Sequence, residues 1–100
     1  MSYPKLSSKE YEVLRLLVTR GEMYGLELVE NSNGALGRGT VYVTLSRMGD
    51  KGYVESRMED GAPGDRAPRK LFKASGLGAR AFRATEAASL AFASPEVAWA

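Results

Sequence analysis

Between residues 38 and 47 the chain gathers Arg38, Thr40, Tyr42, Thr44 and Arg47. Guanidinium groups carry fixed positive charge, and guanidinium and hydroxyl groups both donate hydrogen bonds, which suits recognition of phosphates and base edges rather than bond breaking. The rest of the composition argues the same way. There is no cysteine and no histidine, so disulfides, thiolate metal sites, the commonest general base and the commonest metal ligand are all missing. No pair of carboxylates stands at a spacing that suggests acid–base work. No enzyme, metal site or cofactor is expected.

The formal net charge of +2 hides an uneven distribution. Residues 1–37 hold four basic and five acidic side chains, and residues 38–83 hold ten basic and five acidic ones, a local excess of +5. Beyond Ala84 only Glu86 and Glu96 are charged. A basic middle between near-neutral ends is what a nucleic-acid footprint requires, although a solvated charged surface has the same composition. One hundred residues make one small domain with a thin stability margin, a class that often gains stability by oligomerising. No apolar run approaches the ~18–20 residues of a membrane span, and the start Met1-Ser-Tyr-Pro-Lys5 is too polar for a signal peptide. A cytoplasmic protein is expected.

The elements that must position the basic residues follow from periodicity. Ser7-Ser8-Lys9-Glu10 is a capping-box pattern. Tyr11, Leu14, Leu17 and Val18 then recur at helical spacing up to Gly21, which predicts a helix from Ser8 to Arg20. A shorter helix is predicted from Tyr24 to Asn31, with Tyr24, Leu26 and Val29 facing inward, ended by Asn31-Ser-Asn-Gly34. Val41, Leu45 and Met48 form a single stripe on a third helix, Arg38 to Lys51, with Gly37 before it and Gly52 after it. The polar side of this helix presents Arg38, Thr40, Tyr42, Thr44, Ser46 and Arg47, and backbone N–H groups at Gly39 and Thr40 offer an anion site at its start.

Residues 53–59 and 69–74 then read as two strands around the glycine- and proline-rich stretch 60–68. This hairpin carries Arg57, Arg66, Arg69, Lys70 and Lys73, with Asp60 and Asp65 opposing them. A last helix, capped by Ser75, is predicted from Gly76 to Ala93 with a broad, alanine-rich apolar side. The order helix, turn, helix, turn, helix, hairpin is that of a winged helix-turn-helix. The fold class is therefore α+β and mostly helical, a three-helix core plus a β-hairpin wing. We divide the chain into a DNA-binding domain, 1–74, and a C-terminal dimerisation helix and tail, 75–100.

The stretch Leu36-Gly-Arg-Gly-Thr-Val-Tyr-Val-Thr-Leu-Ser-Arg-Met48, followed by Lys51-Gly-Tyr-Val-Glu55, resembles the PadR family of transcriptional regulators. Met23-Tyr24-Gly25 and Arg69-Lys-Leu-Phe-Lys-Ala-Ser-Gly76 extend the likeness over roughly residues 6 to 85. The family's Thr-x-x-Gly helix start is only approximated by Ser75-Gly-Leu-Gly78, and Gly37 replaces a capping hydroxyl. The resemblance implies a homodimeric repressor that binds double-stranded DNA, with the third helix in the major groove and the wing at the minor groove or flanking phosphates. On that reading Arg38, Gly39, Thr40, Tyr42, Thr44, Arg47, Arg66, Arg69 and Lys70 meet DNA. Leu77, Ala81, Phe82, Ala84, Ala88 and Phe92 pair the subunits. In some members of the family an aromatic near the end of the last helix lines a pore at the dimer interface that holds flat apolar ligands. Phe92 and Trp99 are the candidates for a small apolar effector here, but Trp99 lies beyond Pro95 and a ligand-free tail is expected. Two other readings stay open: a winged-helix module that binds protein, and a non-specific architectural DNA-binding protein.

Overall fold

Ser7 and Glu10 start the first helix by satisfying each other's backbone. The Glu10 N–H donates to Ser7 Oγ at 3.1 Å, and the Ser7 N–H donates to Glu10 Oε1 at 2.9 Å. The structure, a computed structural model, describes residues 5–59 and 69–93, with side chains up to Leu90. The predicted stretch 60–68 and the tail after residue 93 lie outside the described residues.

The first helix, α1, is Ser8–Arg20. A two-residue strand, β1 (Met23–Tyr24), leads into α2 (Gly25–Asn31), and α3 spans Arg38–Asp50. The wing strands are β2 (Val54–Glu59) and β3 (Arg69–Ala74), and α4 is Gly76–Ala93. The order is that of a winged helix, four helices with a small antiparallel sheet. Strand β3 lies in the middle, between β1 and β2. Met23 pairs with Phe72 and Tyr24 with Leu71, while Val54 through Glu59 pair antiparallel with Ala74 through Arg69.

The core gathers Val13, Leu14, Leu16 and Leu17 of α1, Leu28 of α2, Leu36, the Val41, Leu45 and Met48 stripe of α3, and Val54, Phe72 and Phe82. Four consecutive-turn residues of α1 are at most 3% exposed, so this helix is central and packs on more than one side. Every large apolar side chain removed from water here contributes roughly 1.5–3 kcal/mol. Among the described residues no buried side-chain nitrogen or oxygen lacks a partner.

Two expectations are corrected. Tyr24 is not the first residue of α2 but a strand residue paired with Leu71. Its N–H donates to Glu27 Oε1 at 2.8 Å, which caps α2 from within. In α2 Leu28 is fully buried and Val29, half-buried, packs against the core as expected, while Leu26 is 47% exposed. Seven residues make only two turns, and the pairing of β1 with the sheet sets which side of so short a helix faces the core.

Helix α4 is locked to the body at its start. Ser75 Oγ accepts from the Gly78 N–H at 2.9 Å and donates to the Gly52 carbonyl at 2.5 Å, and the Ser75 N–H donates to the Tyr53 carbonyl at 3.0 Å. The Ser-x-x-Gly start, which looked approximate as sequence, therefore forms a full cap. Gly78 lies against the Tyr53 carbonyl so closely that a β-carbon there would stand 2.0 Å from the oxygen. Only glycine fits.

Candidate nucleic-acid interface

Burying Val41, Leu45 and Met48 turns the opposite side of α3 outward. At 100° per residue that side is centred on Gly39, Val43, Ser46 and Asp50, with Thr40 and Arg47 beside them. All six are exposed. Thr44 and Tyr42 flank this strip on opposite sides. Thr44 is half-buried, in a groove it shares with Ser8 and Lys9 of α1, Thr40, Val43 and Arg47. Lys9 Nζ reaches Thr40 Oγ1 at 3.4 Å, so the start of α1 delivers a cation beside the start of α3.

Tyr42, 50% exposed, leans the other way, toward α2. Its ring lies over Gly25, where a β-carbon would stand 2.6 Å from Cε1 and 2.8 Å from the hydroxyl oxygen. The ring also borders a groove with Tyr24, Leu26, Glu27, Arg69 and Lys70. Arg38 and Gly39 are exposed at the N-terminal end of α3. The anion site expected there is smaller than predicted. The Thr40 N–H already donates to the Gly37 carbonyl at 3.2 Å, because the first turn of α3 tightens, so the Gly39 N–H is what remains of the expected pair.

The hairpin divides its cations unequally. Arg57 makes two 3.0 Å bonds to Glu22, and Lys73 sits 3.6 Å from Glu55, its register partner. The Arg57 guanidinium holds the Glu22 carboxyl below its ordinary value. These two cations are already neutralised. Arg69 places its guanidinium 4.3 Å from the centre of the Tyr24 ring. The Tyr24 hydroxyl donates to Glu59, which pushes the phenol pKa up, and burial adds to the rise. Lys70 is exposed on the sheet face that carries Phe72 and turns toward Tyr42 and Ser46. Arg66 lies outside the described residues. The cations presented on this side are therefore Lys9, Arg38, Arg47 and Lys70, with Arg69 stacked on Tyr24.

The residues expected at a subunit interface separate into three groups. Ala81 and Phe82 are 1% and 4% exposed within the single chain, and Phe82 packs its ring 5.2 Å from that of Tyr11. They belong to the domain's own core and are not available to a partner. Leu77 is 42% exposed, and Ala84 and Ala88 are half-buried. The side chain of Phe92 and all of Trp99 lie outside the described residues.

A family model, the transcriptional regulator PadR-like family, matches residues 13–84. The chain belongs to the PadR-like family. A PadR-like transcription factor from Bacteroides fragilis superposes with a TM-score of 0.72 at 23% identity, covering 83% of this chain and 81% of that one. A PadR family regulator from Eggerthella lenta gives a TM-score of 0.71 at 25% identity, covering 84% and 73%. Bacillus subtilis PadR, solved in complex with operator DNA, gives 0.65 at 18% identity. That likeness covers 76% of this chain but 45% of that protein. No curated protein matches by sequence.

Sequence reasoning missed three residues of the surface around α3. Val43 was passed over because an apolar residue off the core stripe contributes nothing to a periodicity reading. Lys9 comes from another helix, and its approach to Thr40 spans 31 positions. The role of Gly25 as the seat of Tyr42 also needs the tertiary fold.

Proposed function

We propose that the chain is a sequence-specific DNA-binding transcriptional repressor that acts as a homodimer, with α3 in the major groove and the wing at the minor groove or flanking phosphates. The observation that carries this reading is the outward strip of α3. Arg47 borders it and Arg38 is exposed at the N-terminal end of α3 on the Tyr42 side, and among the described residues neither arginine has a carboxylate within ion-pair distance. Small or hydroxyl-bearing side chains lie between them. Lys9 and Lys70 flank the strip from two other elements. Cations placed around a helix of this width suit two phosphate backbones on either side of a groove.

Homodimerisation is supported by α4. Leu77, Ala84 and Ala88 stand at i, i+7 and i+11, along one flank beside the buried Ala81 strip. A two-fold pair of α3 helices would read half-sites about one DNA turn apart.

Selection of bound fragments from a random duplex pool, followed by titration of affinity against salt, tests the reading. Enrichment of one inverted repeat, with log affinity falling linearly as log salt rises, is expected. Salt-dependent binding without sequence preference would show an architectural protein. No binding at low salt would overturn the DNA-binding reading and leave the protein-binding module. Light scattering that reports a monomer on the enriched duplex would overturn the dimer.

A further inference from the structure

We propose that Val43 is a specificity residue that reads the 5-methyl group of a thymine in the major groove. The inference deepens the reading of α3 as the groove helix and rests on it.

Val43 is 52% exposed at the centre of the outward strip of α3. Nothing in the fold accounts for an apolar, β-branched residue there. It lies outside the core, and valine is a poor helix former beside alanine or a long polar residue. Its surroundings make it the most approachable apolar atom group on the helix. One turn before it stands Gly39, with open space where a side chain would be, and three residues after it stands Ser46. Neither fills the space over the valine, so the helix can lie close to a groove floor at this point. Arg47 and Thr40 border it on one side, and Lys9 stands in the same groove. Cations at the edges hold phosphates, and the centre meets base edges.

At the centre of that face valine offers no hydrogen bond. It therefore pays the desolvation of any donor or acceptor it covers, and gains only from an apolar group. In the major groove the only methyl group that projects from an unmodified base edge is that of thymine. Adenine, guanine and cytosine edges present donors and acceptors that Val43 would leave unpaired. The position thus selects thymine by attraction and rejects the other three by desolvation.

The test uses the full chain and the duplex enriched from a random pool. Each thymine in a half-site is replaced singly by deoxyuridine, which removes the methyl and leaves every hydrogen bond in place. One replacement per half-site is expected to weaken binding about fourfold, the value of one buried methyl-sized group. Val43→Ala should bind the thymine duplex several-fold more weakly and should no longer distinguish it from that deoxyuridine duplex, with its melting temperature unchanged or raised. Wild-type affinity unmoved by every deoxyuridine replacement overturns the proposal, as does a Val43→Ala variant that keeps the same thymine preference. Both outcomes leave the regulator reading intact, because the pool has been enriched. A pool that yields no enrichment overturns the two together.

Discussion

Gly25 is the floor beneath the Tyr42 ring: a β-carbon on the glycine would stand 2.6 Å from Tyr42 Cε1, well inside van der Waals contact. The first residue of α2 and an outward residue of α3 are therefore chosen together. Gly25→Ala should displace the ring and cost about 1 kcal/mol of stability, since the clash is with the far end of a side chain that can swing away. In a Tyr42→Ala background the same change should be neutral or stabilising by up to about 0.5 kcal/mol, because alanine favours a helix over glycine. Urea unfolding of the two single variants and the double variant checks the reversal of sign. A Gly25→Ala cost that persists without the tyrosine ring would show that Tyr42 is not what the glycine accommodates.

Gly78 answers to backbone rather than side chain, and the consequence is harsher. Its missing β-carbon would stand 2.0 Å from the Tyr53 carbonyl oxygen and 3.1 Å from Leu14 Cδ2. A carbonyl held by the Ser75 N–H cannot move aside without undoing the cap of α4. Gly78→Ala should therefore cost about 3 kcal/mol or more. Gly49→Ala is the matched control. It lies exposed within α3 with open space around it, and the substitution should stabilise by about 0.5–1 kcal/mol. Thermal unfolding of both variants should shift the midpoint in opposite directions.

What could be read from the amino acids and what could not divides along physical lines. The Ser7–Glu10 box and the Val41, Leu45 and Met48 stripe are local signals, and α1, α3 and the two wing strands lie within a residue or two of where they place them. Strand β1 was invisible because its two residues are extended only by pairing with β3, nearly fifty positions away. Ala81 and Phe82 show a different limit. An apolar side chain on α4 gives the same signal whether it faces its own core or a partner, and only the burial of both within the single chain, with Tyr11 packed on Phe82, decides for the core. Arg57 read as a free cation because its neutralising partner, Glu22, lies 35 positions earlier. The outward strip of α3 was legible in its charged members and not in Val43.

Acid should expose the junction between α1 and the end of α3. Glu10 is 6% exposed and takes the Lys51 ammonium at 2.7 Å. Burial alone pushes its carboxyl up, but the Lys51 bond and charge together with the Ser7 N–H outweigh that and hold it below the usual carboxylate value. A carboxyl depressed in the folded state adds stability above its unfolded value of about 4.3, and that stability is lost as pH falls through the lower folded value. Wild type should therefore lose more stability than Glu10→Gln between neutral pH and about pH 3. Arg57 holds the Glu22 carboxyl below its ordinary value as well, so the informative quantity is the difference between the two proteins. Lys51→Met should cost about 1 kcal/mol at pH 7 and reduce that difference. Parallel curves for wild type and Glu10→Gln would remove the linkage.

Arg47 and Arg57 carry the same charge and should behave differently on DNA. Arg47 is exposed on the outward strip of α3 with no carboxylate partner among the described residues, whereas both nitrogens of the Arg57 fork are taken by Glu22 at 3.0 Å. Removing a cation that neutralises one phosphate lowers the slope of log affinity against log salt by about 0.9. Arg47→Ala should show that change, weaken binding and leave the melting temperature where it is. Arg57→Ala should leave the slope alone and produce at most a small change in stability, because an exposed ion pair is worth about 0–1 kcal/mol. The two substitutions remove equal formal charge, so a long-range effect of net charge would move both slopes equally. Equal slopes for the two variants would mean that the surface around α3 acts through overall charge and not through contacts placed by the helix.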